Sequence, residues 1–114
     1  SAHRTPEKAR EYGQGAAGRG VEVIIAGAGL SAHLPGVLAS WTTLPVVGVP
    51  LPAGELKGVD AFLSILQMPP GVPVACVGIG ASRNAALLAA QMLALKYDAI
   101  ASALQEYRRR LQQG

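Results

Sequence analysis

Val21-Glu22-Val23-Ile24-Ile25-Ala26-Gly27-Ala28-Gly29 is the stretch that decides the fold class. Val21 to Ala26 is a short apolar run broken only by Glu22, which predicts a mostly buried strand. Gly27-Ala28-Gly29 then turns the chain. On the upstream side, Thr5-Pro6-Glu7 has the pattern of a helix start. Threonine can cap, proline suits the first helical position, and glutamate favours the positive end. That helix is expected to reach about Ala17 and to stop near Gly18 or Gly20. On the downstream side, a short helix is expected from about Ala32 to Ser40, with Pro35 in its first turn. A helix, a strand and a helix in succession begin an alternating pattern.

The pattern continues to the C-terminus. Pro45 to Val49 predicts a second buried strand, ended by Pro50 and Pro52. Asp60 can cap a helix that runs to about Leu66. Gln67-Met68-Pro69-Pro70-Gly71 predicts a loop, and Pro73 to Ile79 a third strand. Ser82 to Leu95 predicts a helix that is apolar nearly all round. Ala85, Leu88, Ala89 and Met92 line one face, while Leu87, Ala90 and Ala94 line others. A helix without a polar face is buried on several sides, so in a chain this short it predicts a subunit interface. The last helix, about Asp98 to Leu111, carries the stripe Ile100, Leu104, Tyr107 and Leu111, with Glu106 four residues before Arg110. Strands alternating with helices imply a parallel sheet with helices on both faces. Three strands make a thin sheet, and the chain opens on a motif rather than on a strand. Both features lead to the expectation that a leading strand–helix–strand unit is missing.

With 114 residues, this is one domain or part of one. Half of the residues are hydrophobic and 15% are charged, enough for a real core. The one Trp, three Tyr and one Phe leave that core to Val, Ile, Leu and Ala. The single cysteine, Cys76, excludes an internal disulfide and a cysteine cluster for zinc. It lies within Val74-Ala75-Cys76-Val77 and is read as a small buried hydrophobe. A reducing cytoplasm fits this usage. No apolar run has the length of a membrane span, and the polar opening residues are not read as a signal peptide. The net charge is +3, with a basic cluster at Arg108-Arg109-Arg110. Basic residues there complement a helix dipole. No aromatic residues interleave with them, as stacking on nucleic acid would need.

The only two histidines, His3 and His33, each sit where an extended segment is expected to hand over to a helix, the place where α/β proteins build sites. Imidazole can move a proton near neutral pH, and the guanidinium of Arg4 can grip a phosphate or carboxylate. Two readings of His3 and Arg4 stand side by side. One is a general acid/base with an anion grip at a helix start; the other is a chain end with no role. Around His33, Gly27, Gly29 and Gly36 let backbone approach a ligand, or simply make a tight strand–helix turn. The run is not a dinucleotide fingerprint. Gln67-Met68-Pro69 and Gly80-Ala81-Ser82-Arg83-Asn84 are expected at the same sheet edge, and Ser82 can cap the apolar helix. No Ser-His-Asp triad, P-loop or metal cluster is present.

Taken in order, SAHRTP, VIIAGAG, AHLPG, LPVVGVP, SILQMPPGVPVACVGIG and NAALLAAQML resemble the class I PurE family. These are the 5-(carboxyamino)imidazole ribonucleotide mutases of purine biosynthesis. The similarity runs from Ser1 to about Tyr107. AHLPG favours the class I mutases over the class II carboxylases. The resemblance implies one PurE-like domain over residues 1–114, with a flavodoxin-like three-layer α/β/α sandwich. It implies assembly as a homo-octamer and no metal, ATP or biotin. It also implies isomerisation of the N5-carboxylated ribonucleotide by loss and recapture of carbon dioxide in a closed site. His3 matches the histidine that moves the protons. Ser1 and Arg4 match residues that hold the substrate phosphate, and Ala2 joins the substrate-binding set between them. Gly27, Ala28 and Gly29, with Ala32, His33 and Leu34, match the loop that shelters the migrating carboxyl group.

Two departures from the pattern stand out. The family carries a leader with a GSxSD-type loop for phosphate and ribose, together with the strand at the sheet centre. Without it, the chain is expected to bind substrate poorly. The family also shows AGAGGAAHLPG, where this chain has Leu30 and Ser31. If that position takes a positive φ, Leu30 is strained by about 1 kcal/mol or more. Three readings besides the mutase remain: a non-catalytic assembly homologue, direct carboxylation of aminoimidazole ribonucleotide by carbon dioxide, and a general phosphoribosyl- or nucleotide-binding domain.

Overall fold

Pro6 needs no backbone N–H partner in a first helical turn, and it opens α1 (Pro6–Ala16) in the computed structural model, which describes Ser1–Gly114. Thr5 does not cap this helix with its side chain. Its Oγ1 donates instead to the Ser1 carbonyl at 2.8 Å, and so does its backbone N–H. A 3-10 turn, Ala17–Arg19, follows, and Gly20 closes it at φ +90°. The Val21 N–H is spent on the Ala16 carbonyl at 3.1 Å, so Val21 belongs to the helix end.

For that reason β1 is Ile24–Ala28, later than the expected Val21–Ala26. Gly27 and Ala28 are paired strand residues, and the turn falls at Gly29–Ser31. The next elements are α2 (Leu34–Ser40), starting two residues after the expected Ala32, and β2 (Val46–Pro50), buried throughout. Then come α3 (Val59–Leu66) and β3, which is only Ala75–Cys76. Proline at position 73 has no N–H for a ladder, and the chain leaves the sheet after Val77 donates to the Gly48 carbonyl at 3.3 Å. The last helices are α4 (Ser82–Ala94) and α5 (Asp98–Gln113). Neither expected cap residue caps. Gly58, at φ +96°, occupies the cap position of α3, and Asp60 lies in its first turn. Ala81 precedes α4, and Ser82 is its first helical residue.

The three strands are parallel in the order β1-β2-β3, with Ile24 opposite Val46 and Val47 opposite Ala75. One face carries Ile24, Ala26 and Val46 against Ala9 and Ala16 of α1 and Leu38 of α2. Ile65 of α3 closes on the same face so tightly that a Cβ at Gly48 would lie 2.5 Å from its Cγ2. The other face carries Val47 and Val49 against Ala85 of α4, with Leu88 and Met92 beside it. α5 lies on α4. This is a three-layer α/β/α arrangement of flavodoxin-like type.

The expected burial of β1 needs correction. β1 is not mostly buried: Ile25 is 46% exposed, because β1 is an edge strand of the three. The α4 stripe Ala85, Leu88, Ala89 and Met92 faces the sheet as expected, and Leu95 just beyond the helix is 92% exposed. Cys76 is half-buried, and burial pushes its thiol pKa up. No helix is long and apolar enough to cross a membrane.

Candidate functional site

Parallel strands deliver their following loops to one sheet edge, and the cleft that matters here lies at that edge of β1. Its volume is about 350 Å³. Ser1, Ala2, His3 and Arg4 form one wall, Gly27, Ala28, Gly29 and Ser31 the floor, and His33, Leu34 and Leu51 the far side. The first wall is a turn pinned by the two Thr5 bonds to Ser1 and by the Arg4 N–H to Ser1 Oγ at 3.3 Å. The far wall is the start of α2. There the His33 carbonyl accepts the Val37 N–H at 2.9 Å, and the His33 N–H donates to Ser31 at 2.9 Å.

Thirty residues apart in sequence, the two imidazoles meet. His3 Nε2 lies 2.7 Å from His33 Nδ1, with ring centroids 4.8 Å apart and planes at 88°. Both side chains are exposed at the cleft. The Arg4 guanidinium makes no ion pair. A proton-moving pair and a free cation thus share one small opening. Elsewhere in the chain, no three His, Cys, Asp or Glu side chains gather as a metal would need.

Of the site residues expected from the sequence, all but Ala32 line the cleft. The Ala32 side chain is 1% exposed and packs into the core with Ala61 and Ile65. Gly27 has room for a side chain, since its nearest neighbour, Leu51, stands at 3.7 Å from a would-be Cβ. Gly29 has none: a Cβ there would meet that of Ala53 at 2.8 Å. Leu30 adopts φ 52°, so the conditional strain applies. Leu51 is a cleft residue that the sequence does not single out, and Ser31 stands out there only as a departure from the family's loop pattern. Leu51 follows the neighbouring strand, and its N–H donates to the Ala28 carbonyl at 2.9 Å. Its place after a strand that pairs with β1 is the signal that could have found it.

The Gln67-Met68-Pro69 loop is not at this cleft, contrary to expectation. Met68 lies instead against Gly36 of α2, where a Cβ would be 3.1 Å from its sulfur, and Gly71 to Pro73 beyond it lie beside Ser40 to Pro45. The Gly80–Asn84 segment is at the expected edge, with the Gly80 N–H on the Pro50 carbonyl at 2.8 Å, but it does not line the cleft.

The fold and cleft define a class: an α/β domain with a histidine–arginine site at the carboxyl edge of a parallel sheet. The chain belongs to the AIR carboxylase family, which it matches over residues 1–114. It is 59% identical over 108 residues to an N5-carboxyaminoimidazole ribonucleotide mutase of Pyrococcus abyssi, covering 95% of this chain and 62% of that protein. It is 57% identical over 107 residues to the mutase of Saccharolobus solfataricus, covering 94% and 68%. Over 93 residues it is 64% identical to a mutase of the same name from Mycobacterium tuberculosis, covering 82% and 53%. The chain therefore spans 62% of the length of the Pyrococcus abyssi relative.

Proposed function

We propose that this domain carries the proton-moving site of an N5-carboxyaminoimidazole ribonucleotide mutase in purine biosynthesis. The observation that carries the proposal is the contact of His3 with His33 beside a free Arg4. In the reaction, the N–carboxyl bond breaks and releases carbon dioxide, and the ring carbon then forms a new bond to it. That carbon gives up one proton and the exocyclic nitrogen gains one, so the sum is an isomerisation.

His3 takes and returns that proton, since imidazole does both near neutral pH. Arg4, with Ser1, holds the phosphate, and Ala2 between them lines the substrate site. Backbone at Gly27, Ala28, Gly29 and Ala32, with His33 and Leu34, shelters the carboxyl group. Both imidazoles are exposed in the single chain, and carbon dioxide would escape an open site. Groups beyond the described cleft therefore complete the enclosure. The apolar α4 surface and the exposed Leu95 support assembly into a homo-octamer, and the lone thiol Cys76 supports a cytoplasmic setting.

His3→Asn, made in the full polypeptide as the cell produces it, is expected to abolish isomerisation while leaving assembly intact. Turnover at the wild-type rate would sink the role given to His3. The name of the matched family favours a second reading, direct carboxylation of aminoimidazole ribonucleotide. Turnover that requires added bicarbonate would select it; turnover of the N5-carboxylated substrate without bicarbonate selects the mutase.

A further inference from the structure

The 2.7 Å approach of His3 Nε2 to His33 Nδ1 constrains the protons. Two bare lone pairs would repel at that distance, and two N–H groups would clash. One proton lies between the rings. We propose that His3 and His33 act as a one-proton pair, in which His33 is a positioning residue that leaves Nδ1 of His3 as the nitrogen that works on the substrate. This rests on the mutase reading given above.

The two possible placements of the shared proton lead to the same working atom. If His3 Nε2–H donates, His3 Nδ1 carries the lone pair and can take the proton from the ring carbon. The pair then holds one positive charge. Passing the shared proton to His33 spreads that charge, and leaves His3 as the tautomer with its proton on Nδ1, ready to return it. One proton enters and one leaves through the same nitrogen, and both rings end as they began.

The division of labour follows from the backbone. His33 stands at the start of α2, tied at 2.9 Å on both its N–H and its carbonyl, whereas His3 sits in a short exposed turn. The helix end therefore fixes the ring of the turn. His3, Arg4 and His33 are the only ionisable side chains that line the cleft; no carboxylate faces it from α1, α2, β1 or the loop after β2. Each imidazole is then the other's only polar side-chain partner.

The test uses two substitutions in the full polypeptide. His33→Asn keeps a polar atom the same two bonds beyond Cβ as Nδ1; His33→Leu removes it at similar size. In His33→Leu, kcat is expected to fall about 100-fold, the cost of losing the reacting geometry. The pH profile of kcat/KM should change as well, because the working nitrogen of His3 is no longer fixed by its partner. His33→Asn should recover most of kcat and most of the wild-type profile. Equal losses in both variants, with the profile unmoved, would overturn the proposal in favour of a merely structural role.

Nitrogen-15 spectra of the substrate-free protein decide the pair independently of catalysis and of how the variants fold. A fixed tautomer at His3 and a scalar coupling across the Nε2–Nδ1 bond are expected. Freely exchanging tautomers at both rings would overturn the pair. If the pair is present but His3→Asn still turns over, the mutase role of His3 fails and the pairing stands.

Discussion

Leu30 lies over Gly54: a Cβ at Gly54 would fall 2.6 Å from Leu30 Cδ2. Leu30 has φ 52° and Gly54 φ +75°, so two loops at the carboxyl edge of the sheet meet through two left-handed residues, one of which carries a large side chain. Gly54→Ala should cost about 1–2 kcal/mol for its backbone alone, and more while Leu30 occupies the space. In a Leu30→Gly background the cost should fall to the backbone part. Urea unfolding of the two single variants and the double variant measures the coupling. Strict additivity would show that Leu30 swings away freely.

Within the sheet, Gly48 is held to hydrogen by Ile65 and Pro35. A Cβ would lie 2.5 Å from the former and 3.3 Å from the latter. Gly48→Ala should destabilise by about 1–3 kcal/mol through overpacking. Ile65→Ala alone is destabilising through the cavity it leaves, but in that background Gly48→Ala should cost less. Chemical denaturation is the readout, and an unchanged cost would place the strain elsewhere.

Acid should loosen the join between the start of β1 and the α4–α5 turn. The Tyr97 hydroxyl and then Lys96, at 3.0 Å, hold the Glu22 carboxyl below its ordinary pKa. The unfolded state therefore binds the Glu22 proton more readily than the folded state. The stabilisation is fully present above the unfolded-state carboxylate pKa and is lost as pH falls through the lower, folded one. Glu22→Gln should lower the thermal midpoint at neutral pH and converge with the wild type in acid. Curves that stay parallel at all pH would contradict the linkage.

Assembly offers a further check. Leu95 is 92% exposed in the single chain. If α4 and α5 pack between copies in the proposed octamer, Leu95→Arg should shift sedimentation velocity to smaller species, with far-ultraviolet circular dichroism unchanged. An unchanged sedimentation coefficient would move the interface away from this corner.

The elements were largely legible in the sequence because apolar runs and helix breakers act locally. Pro6 starts α1, Pro45 to Val49 makes the buried centre of the sheet, and the four-residue stripe of α4 faces it. Their limits were not legible. The apolar run predicts Val21 as strand, but its N–H is committed to the Ala16 carbonyl. Pro73 to Ile79 predicts a full strand, but only Ala75–Cys76 pairs in the sheet. Thr5, Asp60 and Ser82 all have side chains that can cap, and none of them does.

The same division holds for the site. The sequence by itself determined the residue types: imidazoles, guanidinium and glycines at strand–helix junctions, in an order specific enough to mark the family. Only the tertiary structure decided that His3 and His33 touch, that Ala32 turns into the core, that Leu51 closes the cleft, and that the Gln67–Pro69 loop stays out of it. The physical reason is one of range. A helix start or a buried strand is set by neighbours a few residues away. A contact across thirty residues depends on where the sheet register and the crossing helices deliver each loop, and no local pattern encodes that position.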